Sequence, residues 1–333
     1  MHMADALIVP AVAATMYAAS SGVAALSVKN IRLENDVKKI PIMGVMSAFV
    51  FATQMINFTI PGTGSSGHFC GGLLLSILLG PYAGFLSMIS VLVVQCLLFA
   101  DGGILALGCN IWNMAFYACF IGYLCIYRPM TKHNAKPKRI VLASIIGSVV
   151  SLQLGAFSVT LETIASGITS LSFGQFVAMM QPIHLAIGIV EGLITATVII
   201  FVGNTRPELL HIETAENKVS MKHVLLMLSI MVVLIGGGLS VVASSNPDGL
   251  EWSIEKVTGS TEIETNSNNA NAVDLAGKVQ EKTAILPDYA FANSDSKCGT
   301  SFSGIIGSII VAIISIGCCV IFKLFKKKED TSI

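Results

Sequence analysis

The sequence predicts an all-α polytopic membrane protein: a seven-helix bundle followed by two further transmembrane helices that flank an external loop. Three observations carry this expectation. Of the 333 residues, 53% are hydrophobic and only 12% are charged, with a mean hydropathy of +0.76, far above that of a soluble domain of this length. Several apolar stretches reach the ~20 residues a helix needs to cross a bilayer, where no water satisfies exposed backbone groups. Basic residues gather in the polar segments between these stretches, and placing every basic cluster on the cytoplasmic side gives one consistent topology. The formal net charge is zero, so the bulk charge does not point to nucleic acid.

The first apolar segment covers residues 6–28 and is followed by Lys29, Arg32, Lys38 and Lys39, which puts that loop in the cytoplasm and Met1 outside. Residues 41–58 return, delivering the glycine-rich stretch IPGTGSSGHFCGG, Ile60 to Gly72, to the outer face. From 69 to 99 the chain is apolar for about 31 residues, roughly 46 Å as one helix and longer than the membrane core requires. Gly80-Pro81 in its middle predicts two short arms, an out-and-back pair or a re-entrant hairpin. Two arms leave Asp101 outside and, after the span 103–127, put Arg128, Lys132, Lys136, Lys138 and Arg139 inside. Residues 140–161 run outward, 175–202 inward to Arg206, Lys218 and Lys222, and 223–243 outward again. Residues 244–301 are polar, contain the string NPDGLEW, and read as an external loop with disorder between Glu262 and Gln280. The last span, 303–322, is closed inside by Lys323, Lys326, Lys327 and Lys328. A composition shift between Arg206 and Lys222 divides the chain into a domain over 1–210 and a second over 211–333.

The N-terminus has no basic n-region, and Asp5 precedes the apolar run. No cleavable signal peptide is therefore expected, and the mature chain is expected to begin at Met1. The eight cysteines form no CxxC pair or disulfide framework and read as small apolar packing residues. Cys70, two residues after His68, stays open.

If Met1 keeps a free amine, that amine, the His2 backbone nitrogen and the His2 imidazole can wrap one metal ion, with His68 adding a fourth nitrogen. Bulky His2 protects Met1 from methionine aminopeptidase, which trims before small residues. Four nitrogens in a plane suit tetragonal ions, and imidazole suits nickel, copper and cobalt, whereas magnesium and calcium prefer oxygen. Taken alone, His2 reads as a surface residue and Gly62, Gly64, Gly67, Gly71 and Gly72 as helix-packing positions. The topology brings His2 and His68 to one face, and the glycines allow close backbone approach there, which favours a ligand-binding loop. No GxxxxGK[ST] motif is present, so any ATP-derived energy must come from another chain. No nucleophile–base constellation points to an enzyme.

MHMADALI, IPIMGVMSAFVFATQMINFTIPGTGSSGHFCGG, FADGGILALGCNIWNM, HLAIGIVEGLIT and RPELL together resemble the CbiM/NikM family, the substrate-binding membrane subunit of energy-coupling-factor (ECF) importers for cobalt or nickel. The resemblance spans roughly residues 1–210. NPDGLEW resembles the PDGLE segment of the CbiN/NikN-type component, which some members carry fused. The resemblance implies a seven-helix core that binds Co²⁺ or Ni²⁺ as cargo through Met1, His2 and His68, with no resident cofactor. It also implies a transmembrane coupling subunit (CbiQ/NikQ-like) and cytoplasmic ATPases (CbiO/NikO-like), in the plasma membrane of a prokaryote with the C-terminus cytoplasmic. Cobalt for cobalamin biosynthesis is the first cargo expected and nickel for urease or hydrogenase the alternative; a membrane metal sensor without transport is the rival from another class. The loop reads GTGSSGH, and its length bears on how far metal preference transfers from other members.

Other polar residues keep two readings each. Asp5 orients His2, or caps a helix or binds a backbone amide. Asn57 and Asn110 support the site or act as structural amides between helices, and Asn113 reads as a structural amide. Asp101 is a turn residue or draws in cations. His184 and Glu191 lie inside a span, where ionisable groups are functional candidates, and read as a mutual pair or a second metal contact. Ala14 and Ala18 form a small-residue pair on the first span, a contact for the coupling subunit or a consequence of alanine-rich composition.

Overall fold

The computed structural model describes residues 1–31, 39–132, 136–168, 170–210, 220–261, 263, 270–291 and 298–330. Its first eight helices are α1 (Pro10–Asn30), α2 (Lys39–Gln54), α3 (Gly72–Leu79), α4 (Pro81–Phe99), α5 (Leu107–Thr131), α6 (Pro137–Ala165), α7 (Phe173–Thr205) and α8 (Met221–Gly237). Two shorter helices follow, α9 (Gly249–Thr258) and α10 (Ala270–Thr283), and then α11 (Cys298–Asp330). A small antiparallel hairpin, β1 (Phe58–Ile60) with β2 (Ser65–Gly67), pairs Phe58 with Gly67 and Ile60 with Ser65. Among the described residues seven helices are long and apolar enough to cross a membrane, with the shorter apolar helix Ile40–Gln54 beside them. The chain is an all-α polytopic membrane protein.

The expected break at Gly80-Pro81 is present. Gly80 has φ +87°, a conformation that L side chains rarely adopt, and Pro81 opens α4, where its missing N–H costs nothing. All eight residues of α3 are buried, and at ~12 Å this helix covers less than half of a ~30 Å membrane core. Its arm is therefore re-entrant, and α4 makes the return. Most of α5, Trp112 to Tyr127, is wound as a π-helix, a departure that hydrophobic periodicity does not announce.

The second part packs against α2. Gly236 of α8 meets Gly304 of α11 so closely that a Cβ on either would collide with the other's backbone, and the Ser308 hydroxyl on α11 donates to Ala48 O on α2 at 3.5 Å. Leu226, Leu234 and Ile313 stay exposed, as lipid-facing positions do in a bundle with no apolar cost for facing hydrocarbon.

The disorder expected between Glu262 and Gln280 does not hold for its second half, because residues from Ala270 onward form α10. The physical reason is a tertiary anchor: Gln280 donates to Cys96 O at 2.9 Å and Gly102 O at 2.8 Å, and Ala276 is buried. Residues 262 and 264–269 lie outside the described residues, as do Arg32 and Lys38 of the first basic loop.

Candidate metal centre

The N-terminal segment is threaded into the bundle. Met1 and Met3 are 4% and 0% exposed. Asn110 on α5 clamps the Met3 backbone from both sides, its side-chain oxygen accepting from Met3 N at 2.8 Å and its amide donating to Met3 O at 3.3 Å. Gly103 N donates to the same Met3 carbonyl at 2.9 Å. Asp5 accepts from Ala106 N at 3.1 Å, while the His2 ring faces Asp101. These contacts determine where the first two residues lie.

Met1, His2 and His68 are thereby brought together. The Met1 amine lies 3.3 Å from His68 Nε2, and the His2 and His68 rings stack with centroids 5.2 Å apart and planes 16° from parallel. Burial holds the His68 imidazole well below its ordinary pKa, to about 3, helped by the neighbouring ammonium charge. Burial lowers His2 too, partly opposed by Asp101. Both rings are thus neutral near pH 7, the form in which imidazole offers a lone pair to a metal.

Two acids that sequence reasoning did not place in the site complete it. Asp248, from NPDGLEW, reaches the Met1 amine with Oδ2 at 2.5 Å. Its Oδ1 accepts from Leu250 N and Glu251 N, each at 2.8 Å, while Glu251 bonds back to Asp248 N, a capping box that starts α9. Burial pushes the Asp248 carboxyl up, but the Met1 ammonium and the hydrogen bonds it receives more than offset this and leave it well below the usual carboxylate range. Asp101 faces His2 Nδ1 at 3.1 Å and accepts from the Tyr289 hydroxyl at 2.5 Å. The capping-box pattern D-x-x-E was visible in the sequence; its distant target was not.

The NPDGLEW segment is also stitched to the glycine loop. Ser66 N donates to Pro247 O at 2.8 Å, Ser66 Oγ to Asn246 O at 2.8 Å, and Trp252 Nε1 to Thr63 O at 3.0 Å. Asn57 accepts Ser244 N through its backbone carbonyl at 2.7 Å. Asp248→Ala is therefore expected to loosen this dock by about 1–2 kcal/mol, mostly from the lost cap together with its ion pair to the Met1 amine. Faster proteolysis within residues 244–261 would show it, and unchanged cleavage would contradict it.

A cavity of about 570 Å³ lies over the site, its walls including His2, His68, Asp101, Asp248 and Glu251. On the other side of Met1 and His68 is a pocket of about 10 Å³, room for about one water. His184 borders it; its Nδ1 bonds to Met180 O at 2.8 Å, and its Nε2 has no hydrogen-bond partner among the described residues. Cys70 borders the same pocket, with its thiol on Met114 O at 3.3 Å. Glu191 does not pair with His184; its carboxylate receives the Cys70 and Gly71 amides. Asn113 donates to Glu162 at 2.7 Å. Ala14 and Ala18 lie on α1 and are exposed, continuing a face with Ala11 and Gly22.

Comparison with known proteins yields two family models: the cobalt uptake substrate-specific transmembrane region (CbiM) over residues 2–209 and the PDGLE domain over residues 222–324. The putative fused nickel transport protein NikMN of Archaeoglobus fulgidus is 34% identical over 318 residues, 93% of this chain and 95% of the relative. The probable fused nickel transport protein LarMN of Lactiplantibacillus plantarum is 29% identical, covering 94% of this chain and 96% of its own. A solved structure described as a truncated transition metal transporter superposes with a TM-score of 0.54 at 34% identity, over 61% of this chain and 99% of that one.

Proposed function

The chain belongs to the CbiM family of cobalt-uptake transmembrane proteins, with a PDGLE domain joined behind it, and from that premise we propose that it is the substrate-capturing subunit of an ATP-driven importer of nickel or cobalt. The observation that carries the reading is the convergence of the Met1 amine, His2 and His68 in one buried site. Relatives that match over nearly the whole chain, fused as this one is, are named nickel transport proteins, which moves the emphasis from cobalt to nickel. Cobalt stands second, from the family name and from the CbiM protein of Geobacter sulfurreducens, 26% identical over 217 residues.

The ion enters through the acidic cavity, where Asp101, Asp248 and Glu251 concentrate cations. It is wrapped by the Met1 amine, the His2 backbone nitrogen and the His2 imidazole, the Met1 ammonium and the His2 amide each releasing one proton to water as they bind, and His68 closes the square. Amine and backbone nitrogen form a five-membered chelate ring; backbone nitrogen and imidazole Nδ1 form a six-membered one. The amine is the atom held by Asp248 and Nδ1 the atom that faces Asp101, so loading exchanges two carboxylate contacts for the metal. The acids remain beside the site as counter-charges. The PDGLE segment covers the loaded ion, and ATPases acting through a coupling subunit on the exposed small-residue face of α1, at Ala14 and Ala18, drive release to the cytoplasm. In this reading the N-terminus lies outside and the C-terminus inside the cell membrane of a prokaryote, as the basic loops support.

Vesicles containing the chain, its coupling subunit and ATPases are expected to accumulate radioactive nickel only when ATP is supplied on the cytoplasmic side. Tight binding without accumulation would instead support a sensor that holds the ion and does not move it.

A further inference from the structure

Glu191 is an ionisable side chain in the middle of α7, 2% exposed, and its partners are unusual. Oε2 accepts from Cys70 N at 3.0 Å and Oε1 from Gly71 N at 3.2 Å. These are consecutive amides that meet the two oxygens of one carboxylate, and they precede α3, where backbone N–H groups lack intrahelical acceptors. The positive end of α3 and these two donors stabilise a carboxylate that would otherwise be costly in a membrane bundle.

The peptide so held leads directly out of the site. His68 is two residues before Cys70, and its Nδ1 contacts Phe69 O at 3.2 Å. The Cys70 carbonyl is gripped as well, by Gln54 Nε2 of α2 at 2.6 Å, and Gln54 is held in turn by Gln95 of α4 at 2.6 Å. The backbone after His68 is thus pinned at its N–H groups from α7 and at its carbonyl from α2. A neutral amide at 191 would accept only one of the two bonds and turn a donor toward the other N–H.

Resting on the reading of Met1, His2 and His68 as metal ligands, we propose that Glu191 is a positioning residue for His68, fixing the Cys70–Gly71 backbone so that the imidazole meets the ion in the plane of the other nitrogens. A carboxylate with both oxygens engaged gives a stronger and more directional hold than a neutral cap, and a square-planar site tolerates little displacement of its fourth ligand.

The test uses the full chain in detergent with a native N-terminus, titrated with nickel and followed by visible absorption. Glu191→Gln is expected to weaken binding about tenfold, as loss of outer support does at metal sites, and to shift the absorption band of the ion that remains bound. Glu191→Asp, which keeps both acceptor oxygens, is expected to recover part of the affinity and of the band position. Wild-type affinity and band in Glu191→Gln would overturn the proposal. So would a lowered thermal midpoint with an unmoved band, which is the pattern of a purely structural cap. If Glu191→Gln does not fold, Glu191→Asp carries the decision: a shifted band is expected and an unmoved one overturns. His68→Ala in the same assay separates the two readings, since intact binding there would discard the site itself.

Discussion

Adding a single residue ahead of Met1 is expected to weaken nickel and cobalt binding by about a hundredfold or more, since a first ligand is lost and outer-support losses alone cost 10- to 100-fold. The extension changes no side chain. It converts a basic amine into a peptide nitrogen, which binds a metal only after losing its N–H proton, and it moves the new amine out of the place beside Asp248 and His68. It also has no room: Met1 is 4% exposed, its amine is 2.5 Å from Asp248 and 3.3 Å from His68, and its methyl carbon is 2.8 Å from where a Cβ on Gly155 would fall. Equilibrium titration of the extended chain reads the effect, and undiminished affinity would remove the amine from the ligand set.

His68→Ala is expected to produce a loss of similar size, also about a hundredfold. His68 is the donor from outside the N-terminal chelate, neutral because it is buried, and its removal leaves a position that water fills poorly for an ion preferring nitrogen. Cys70→Ala is the informative companion. Cys70 is equally buried and only two residues away, but its thiol is engaged with Met114 O, so affinity is expected to change by less than about threefold in a site built of nitrogen. A large loss in Cys70→Ala with little in His68→Ala would assign the fourth ligand to sulfur.

The spans were legible because their cause is local. Continuous apolar length and the Gly80-Pro81 break depend on near neighbours, and the structure shows both. The proximity of His68 to Met1 followed from counting crossings. Asp248 was not legible in this way: its contact with the Met1 amine joins residues 247 apart, and no hydrophobic pattern encodes which external acid meets which cation. Asp101 offered a turn reading that accounted for it without His2. The helix over Ala270–Thr283 was missed for a related reason. Its composition is too polar to suggest a packed element, and its hold on the bundle comes from Gln280 reaching the carbonyls of Cys96 and Gly102. Asn110 shows the intermediate case: its position beside the loop was readable, but its double clamp on Met3 required the fold.

In the proposed site the chain holds its ion with nitrogen alone, the first of these donors a backbone terminus. X-ray absorption at the nickel edge of the loaded, untagged chain tests this most directly. A first shell of nitrogen scatterers with the pre-edge signature of a square plane is expected. A sulfur shell, or six oxygen-like scatterers around the ion, would contradict it.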